Sequence, residues 1–546
     1  MAAISKAYIL QVRPMQEERP IYTLDIETDP FEHGRYPEPF AIGFYDGVRQ
    51  TNFWGQDCIE RMWDFIQTKT PGIIYAHNGG RFDIFYLMTW VAGNPMRVIN
   101  SRIIKAIIKL SKGHHEFRDS YAIMPFALGK FKGATQKLEI EIDKLHRSRR
   151  EKHKEEILAY LGRDCETLWI LCSAFVENFG AQLTIGTTSM KELRRIHTFS
   201  YLEAKQDAEI RSKFYYGGRV ECLKKGLIAG RFKIYDVNSM YPYAMKSHKH
   251  PIGKPTSESL KIGRHTCFVT ASGENYGAFP MRVRNSVDFR VERGTFNVSI
   301  HEWNVAQEFG LFKCDKVLKC INFSERGTFE DFVDKFYNAR LAAQASDDQI
   351  MSLFYKFIMN SAYGKFGQNP DNYKEYQITE SGVDMESTGW IPDRITKGRG
   401  DEEFIVWQKP SNDTSRYNVA TGSSITGAAR SILLAGLASS RNPIYCDTDS
   451  IVCEELLAAN LESKELGGWK LEGECDYAAI AGKKLYALFQ GGETGEVVKQ
   501  ANKGVDVSAK DIVAVCKGET KVSMRNAPSF KLDGSHKFIT RKVRMT

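Results

Sequence analysis

Four carboxylates from three separate segments carry the first chemical signal. Asp25 and Glu27 are two apart, Asp83 follows the turn His77-Asn78-Gly79-Gly80, and Asp164 comes four residues after Tyr160. Gathering four acids is costly unless cations neutralise them. Two hard divalent ions roughly 3.5–4 Å apart would do so, one generating hydroxide and the other stabilising the leaving oxygen of a phosphodiester. Asp25, Glu27, Asp83 and Asp164 are therefore expected metal ligands of a nuclease-type centre, and the Tyr160 hydroxyl is placed to orient the attacking water. A second set comprises Asp236, the pair Asp447 and Asp449, and the run Lys356-x-x-x-Asn360-Ser361-x-Tyr363-Gly364. Nucleotidyl transfer needs metals held by carboxylates and cations to meet the phosphates. Asp236 and Asp449 are the expected ligands there, with Asp447 in support.

Each acid needs an element to hold it. Ile21 to Asp29 alternates with period two, so Tyr22, Leu24 and Ile26 face one way and Thr23, Asp25 and Glu27 the other. The strand-like run Ile73-Ile74-Tyr75-Ala76 enters the diglycine turn, and Asp83 is expected to open a helix. Ile157, Leu161, Leu168 and Leu171 have helical spacing, which stacks Tyr160 one turn before Asp164. After Gly180 the pattern predicts short strands and loops, with Tyr215, Gly217 and Gly218 in an aromatic, diglycine turn. Lys233 to Val237 reads as a strand that Pro242 stops. Residues 252–330 read as strand and loop, 331–366 as a long helix broken near Ser346-Asp347-Asp348, and 369–420 as a polar, turn-rich hairpin arm. A helix from Thr426 to Ser439 precedes a hairpin over Ile444 to Val452, whose tip carries Asp447 and Asp449.

Composition bounds the class. The chain has 546 residues, enough for several domains, and its 42% hydrophobic content without repeats excludes collagen-like, coiled-coil and disordered classes. The net charge of +8 is concentrated from Lys483 onward, where thirteen Lys and Arg face six Asp and Glu, as suits a polyanion partner. Eleven scattered cysteines without a C-x-x-C pair fit reduced thiols in a cytosolic compartment. No signal pattern or apolar run long enough for a membrane span is seen, so a cytoplasmic protein with no membrane partner is expected.

The first set, D-x-E, then N-x-x-x-F-D, then Y-x-x-x-D, resembles the three exonuclease motifs of proofreading DNA polymerases with an RNase H-like fold. The resemblance implies 3′-5′ exonuclease activity, with Asn78 and Phe82 holding the single-stranded end, Phe82 by stacking. It also implies single-strand contacts at Ser120, Phe126 and Lys137. The sequence departs from the pattern where Tyr121 follows Ser120, since a leucine is expected there.

The second set resembles motifs A, B and C of family B DNA polymerases. The resemblance implies that Lys356 neutralises the triphosphate, Tyr363 packs under the nascent pair with Asn360 nearby, and Tyr241 excludes a 2′-hydroxyl. Lys335 and Arg340 would add triphosphate contacts. Thr426 and Arg430, and Lys484 with Tyr486, match primer-contact motifs, and Tyr215-x-Gly217-Gly218 matches a linker that approaches the template. Compact length and two insertions are similar to the protein-primed enzymes of small linear-genome phages, tectivirus-like and of the same class as small Bacillus phage polymerases. The fold class expected is multidomain α/β and α+β. Residues 1–180 form an RNase H-like exonuclease domain, and 181–546 a right-hand polymerase domain. Within the latter, 181–251 and 421–500 form the palm, 252–330 and 370–420 two terminal-protein-region insertions, 331–369 the fingers and 501–546 the thumb. Expected cofactors are two Mg2+ or Mn2+ per site. Expected partners are template and primer DNA, deoxynucleoside triphosphates and a terminal priming protein, the chain being a monomer or a heterodimer with that protein. Strand displacement is implied too. Alternatives are a primer-dependent repair-type polymerase, a polymerase-derived nucleic-acid binder without chemistry, and an exonuclease with a regulatory C-terminal region.

Overall fold

Alternation along Ile21–Thr28 (β1) buries Tyr22, Leu24 and Ile26 in one core while Asp25 and Glu27 stay only partly covered. The computed structural model describes residues 19–91, 93–128, 140–284, 286–369, 374–397, 403–410, 417–458, 460–461, 465–502, 504–532 and 536–546. β1 pairs antiparallel with Pro39–Tyr45 (β2), which carries Gln50–Trp54 (β3) on its outer edge. On its other side β1 runs parallel to Ile73–Ala76 (β4). The sheet then continues from Pro95–Ile99 (β5) through Arg102–Lys109 (β6) to His114–Asp119 (β7), which is parallel to β4. Helix Cys58–Gln67 (α1) covers one face with Cys58, Ile59, Met62 and Ile66. A short helix, Met88–Val91 (α2), adds Val91 to the same core.

The long helix Lys154–Phe179 (α3) lies across the opposite face, as its apolar spacing predicts. Thr23 Oγ1 donates to the Cys165 carbonyl at 2.8 Å and Trp169 Nε1 to the Ile21 carbonyl at 3.0 Å, which fixes its register on β1. Gly180, at φ 76°, ends it. The strands and loops expected after Gly180 are instead two helices, Ile185–Ile196 (α4) and Ala204–Lys213 (α5). α4 is capped by the Thr184 side chain and buries Met190 and Leu193, and α5 has a Glu203–Gln206 capping box. Polar composition hid both, because most of their stability comes from packing a narrow apolar stripe.

A second sheet of seven strands begins with Val220–Cys222 (β8) and the twelve-residue Gly226–Val237 (β9). β9 is flanked by Ser450–Cys453 on one side and Trp469–Gly482 on the other. Pro242 does not merely stop the strand: it lies in the first turn of helix Met240–Ser247 (α6), where its missing N–H costs nothing. Residues 266–322 form most of a four-stranded sheet carrying Ile300–Glu308 (α7). The helical pair Glu330–Ala345 (α8) and Gln349–Phe366 (α9) breaks at 346–348, as the sequence predicts. Val419–Ala438 (α10) is buried almost throughout, and Ala509–Cys516 (α11) packs on the far end of the seven-stranded sheet.

The polar arm has an unforeseen attachment. Its strand Lys374–Glu380 hydrogen-bonds antiparallel to β5, so the first sheet grows to ten strands by adding 374–380, 403–410 and 391–397. Ile378 and Val406 enter the same core as Leu24 and Ile26. Among the described residues no helix is long and apolar enough to cross a membrane.

Candidate active sites

The first acid set converges on β1. Asp83 opens a helix as expected, a 3-10 segment Asp83–Leu87 that leads directly into α2, and its Oδ1 accepts the Ile26 N–H at 3.1 Å. The preceding glycines make this approach possible. A Cβ on Gly80 would lie 1.9 Å from the Ile103 carbonyl oxygen, and one on Gly79 would lie 2.5 Å from the Ala76 Cβ. Burial, then the Asp164 charge, pushes the Asp25 carboxyl up to about 7. Burial and the charges of Asp25, Asp164 and Asp83 raise Glu27 well above the ordinary carboxylate value, and burial with Asp25 does the same to Asp83. Tyr160 is raised by burial and by Asp164, to which its hydroxyl is hydrogen-bonded. The five residues therefore share one electrostatic site. Cys165, beside them, is held as a neutral thiol by burial, which leaves an all-oxygen donor set.

A raised carboxylate makes the fold less stable as pH rises. For Asp25 the stability is full below the ordinary value near 4 and is lost as pH rises through about 7. Asp25→Asn combined with Glu27→Gln is thus expected to raise the melting temperature in chelated buffer at pH 8 and barely change it at pH 4. Scanning fluorimetry at both pH values checks it, and equal shifts at pH 4 and pH 8 would refute the repulsion.

Around this site Asn78 is exposed in a left-handed conformation, φ 62°, and the half-buried Phe82 ring meets Phe31 at 5.4 Å and Tyr86 at 5.3 Å. Ser120 is fully buried, its hydroxyl 3.0 Å from His77 Nδ1, while His77 Nε2 lies 2.8 Å from the Phe126 carbonyl. Phe126 stacks on Phe357 of α9 at 5.8 Å, and Tyr121 lies under Arg102 at 4.4 Å. Lys137 lies outside the described residues.

The second set meets where β9 and the hairpin Tyr445–Asp447/Ser450–Cys453 run side by side. Ser450 is in register with Asp236, and Val237 N–H donates to the Asp449 carbonyl at 2.8 Å. The tip is tight: Thr448 has φ 60° and its N–H donates to the Arg219 carbonyl at 2.7 Å. Gly218 packs against that tip, since a Cβ there would lie 2.8 Å from Thr448 Cγ2 and 3.1 Å from the Tyr241 hydroxyl. Burial, Asp449 and Glu472 push Asp236 up to about 7, and burial with Asp447 raises Asp449. Lys484 Nζ holds Asp447 Oδ1 at 2.9 Å.

Several residues expected at DNA sit inside the protein. Arg430 is 3% exposed, pairs with buried Glu302 at 2.7 Å, and donates to the Tyr216 and Gly217 carbonyls at 2.7 and 2.9 Å. It clamps the diglycine turn. Thr426 is buried with its hydroxyl on the Ser423 carbonyl, and Tyr486 packs its ring on Tyr445 at 4.6 Å. Tyr215 is half-buried, its hydroxyl against Gly367, where a Cβ would lie 2.0 Å away. Arg430→Met would strand Glu302 as an unpaired buried charge, so a loss of about 3–5 kcal/mol is expected. Denaturant unfolding followed by tryptophan fluorescence measures it, and a loss within that of a surface Arg→Met control would contradict the clamp.

Arg340 and Lys356 line one cavity of about 310 Å3 between α8 and α9, together with Asp347 and Gln344. The Arg340 Nε is buried without a hydrogen-bond partner among the described residues. Lys356 is lowered by the protein packed around it and by Arg340, although its side chain reaches solvent. Lys335 instead pairs with Glu192 at 3.5 Å. Asn360 is half-buried one turn after Lys356, and the Tyr241 and Tyr363 rings stack at 3.8 Å and 5°. Sequence reasoning missed Glu472 and Lys499, both of which act electrostatically on Asp236.

Residues 132–465 match the family described as DNA polymerase type B, organellar and viral. The DNA-directed DNA polymerase of Enterobacteria phage PRD1 is 41% identical over 97% of this chain and 98% of its own length. The chain belongs to the type B DNA polymerases of phages. This type B polymerase is also 24% identical to the DNA polymerase of Bacillus phage phi29 over 77% of this chain and 78% of that protein. Solved structures of phi29 DNA polymerase superpose over 97% of this chain and 100% of theirs. The orthorhombic form gives a TM-score of 0.73 at 18% identity, and the ternary complex with primer-template DNA and incoming nucleotide gives 0.72 at 20%. The fold is the multidomain, mixed α/β one that the motifs implied, shared along its length with phi29 DNA polymerase.

Proposed function

We propose that this DNA-directed DNA polymerase replicates a linear viral or plasmid genome from a protein primer, and that it proofreads with a separate 3′-5′ exonuclease. The observation that carries the reading is the pair of carboxylate sets on different sheets, one gathered on β1 and one at the end of β9. Both sets offer hard oxygen donors, which suit two Mg2+ or Mn2+ ions. Among the described residues no three or more His, Cys, Asp or Glu side chains are already grouped closely enough to hold an ion. When bound, the metals supply the activated hydroxyl and charge neutralisation of two-metal phosphoryl chemistry.

The chain does the rest. Asp25, Glu27, Asp83 and Asp164 hold the cleavage site, Tyr160 orients water, and Asn78 and Phe82 grip the frayed end. Asp236 and Asp449 would hold the ions that neutralise charge beside the primer hydroxyl and triphosphate, Lys356 and Arg340 meet the phosphates, and the Tyr241–Tyr363 stack forms the floor that a 2′-hydroxyl would strike. Partners are primer-template DNA, deoxynucleoside triphosphates and a terminal protein contacting 252–330, with the chain acting as monomer or heterodimer in the host cytoplasm. The proposed domain limits follow those of the motifs. Extension of a recessed primer by one labelled nucleotide with Mg2+, and release of nucleotides from a single strand without triphosphates, test the two activities. Absence of either product overturns that half.

The arm at 370–420 is proposed to hold the displaced strand apart. Removing all of it would open the exonuclease core, because Ile378 and Val406 are buried there. Removing 382–401 and joining the remaining strands with two glycines keeps that core and deletes the outer strand Ile391–Lys397. Extension on single-stranded template is expected to persist while displacement of a downstream strand falls, measured per binding event with a competitor trap. Equal displacement lengths would show the outer strand to be idle.

A further inference from the structure

Beside Asp236 the palm-side sheet has a gap. Leu485–Gln490 pairs with Trp469–Gly482 only from Tyr477 onward, and apart from a single bridge from Leu461 to Trp469 the first half of that long strand has no ladder partner on this side among the described residues. Glu496–Asn502 leans over the gap instead. Gly473 permits the approach, since a Cβ there would lie 3.2 Å from Val498 Cγ1. The result is a cavity of about 360 Å3 lined by Ile234, Lys470, Leu471, Glu472, Val498 and Lys499. Two of its six lining side chains are lysines. Lys499 Nζ is held by Glu472 at 2.8 Å, with each side chain about one third exposed. Lys470 stands opposite Asp236 in the β9 pairing, one strand away, about 4.8 Å in the hydrogen-bonding direction.

We propose that this notch seats a phosphodiester of the primer strand close to its 3′ end, with Lys499 and Lys470 as the contacting cations and Glu472 as the residue that aims Lys499. The inference rests on the polymerase reading and goes beyond it by naming primer-holding residues outside the recognised motifs. Half-exposed ion pairs contribute little by themselves, so Lys499 loses little by sharing its charge with a phosphate. A phosphate receives charge-assisted hydrogen bonds from both lysines. The notch adjoins Asp236 on the sheet, so a strand anchored there presents its end to the metal acids. Neither lysine is tied into a core, so both can be changed without opening one.

The test uses full-length protein carrying Asp25→Ala and Glu27→Ala, so that the primer survives. Lys499→Met is expected to weaken primer-template binding, read by fluorescence anisotropy, on the order of tenfold, and to lower the salt dependence by about one counterion. Lys499→Arg restores most of the affinity. The loss appears in KM for primer-template and not in KM for nucleotide. A neutral methylphosphonate scanned through the last few primer positions weakens the parent at one position, where Lys499→Met adds no further loss. Additive losses at every primer position, a matching position in the template strand, or an effect confined to nucleotide KM overturns the seat. Failure of the parent to extend any primer would strike the polymerase reading, while the anisotropy and methylphosphonate data would still decide the seat.

Discussion

Asp449→Ala is expected to reduce templated primer extension by at least about 10^3-fold, the several kcal/mol of charge stabilisation a lost metal ligand removes. Degradation of single strands should persist in that variant. Asp25→Ala with Glu27→Ala should do the reverse. The separation follows from the structure: the first pair sits on a ten-stranded sheet and Asp449 on a seven-stranded one, and no strand is shared. Each set is shifted by its own members, Asp25 by Asp164 and Asp236 by Asp449, and neither by an acid of the other. Parallel assays of labelled primer extension and single-strand decay measure both. Loss of both activities from either change, in protein that still melts cooperatively, would mean the two sites are one.

The acids were legible because chemistry demands their types and the strand and helix periods put them on common faces. Asp25 and Glu27 on β1, Tyr160 and Asp164 on α3, and the hairpin tip at Asp447 to Asp449 all follow from period alone. The break between α8 and α9 was equally visible, where Asp347 takes a left-handed φ of 57° and Asp348 caps the next helix. Contacts between distant segments were not legible. Nothing in residues 374–380 announces β5 as a partner, since edge pairing uses backbone groups that every sequence carries. The same limit hid Arg430, whose motif suggests DNA but whose guanidinium meets Glu302 and two carbonyls inside the fold. A cation's partner is set by tertiary placement, and one-dimensional spacing does not report it. Glu472 and Lys499 escaped for a related reason: their strands meet only because an intervening strand stops short.

Two lysines precede or lie within the expected triphosphate motif, and the structure distinguishes them. Lys335 is already paired with Glu192 at 3.5 Å, whereas Lys356 shares a cavity with Arg340, whose buried Nε has no hydrogen-bond partner among the described residues. Asp347 also lines the cavity, but among the described residues no ion pair joins it to either cation, so two like charges face one cavity and favour the entry of an anion. The neighbouring guanidinium and the surrounding protein already lower Lys356 from the ordinary lysine value. A bound triphosphate reverses that balance by stabilising the ammonium. Lys356→Ala is therefore expected to lower kcat/KM for nucleotide about 10^2- to 10^3-fold, the range for losing one donor aimed at developing charge. Lys335→Ala should cost far less, because it removes a cation that Glu192 already occupies. The sign of the shift adds a second readout. A lysine with a depressed pKa loses its charge at lower pH than an ordinary one, so nucleotide KM should begin to rise below pH 10.5 in the parent. Single-nucleotide kinetics on a recessed primer, run across pH for the parent and both variants, decide between the lysines. Equal losses from the two alanine variants would place the triphosphate elsewhere than the cavity between α8 and α9.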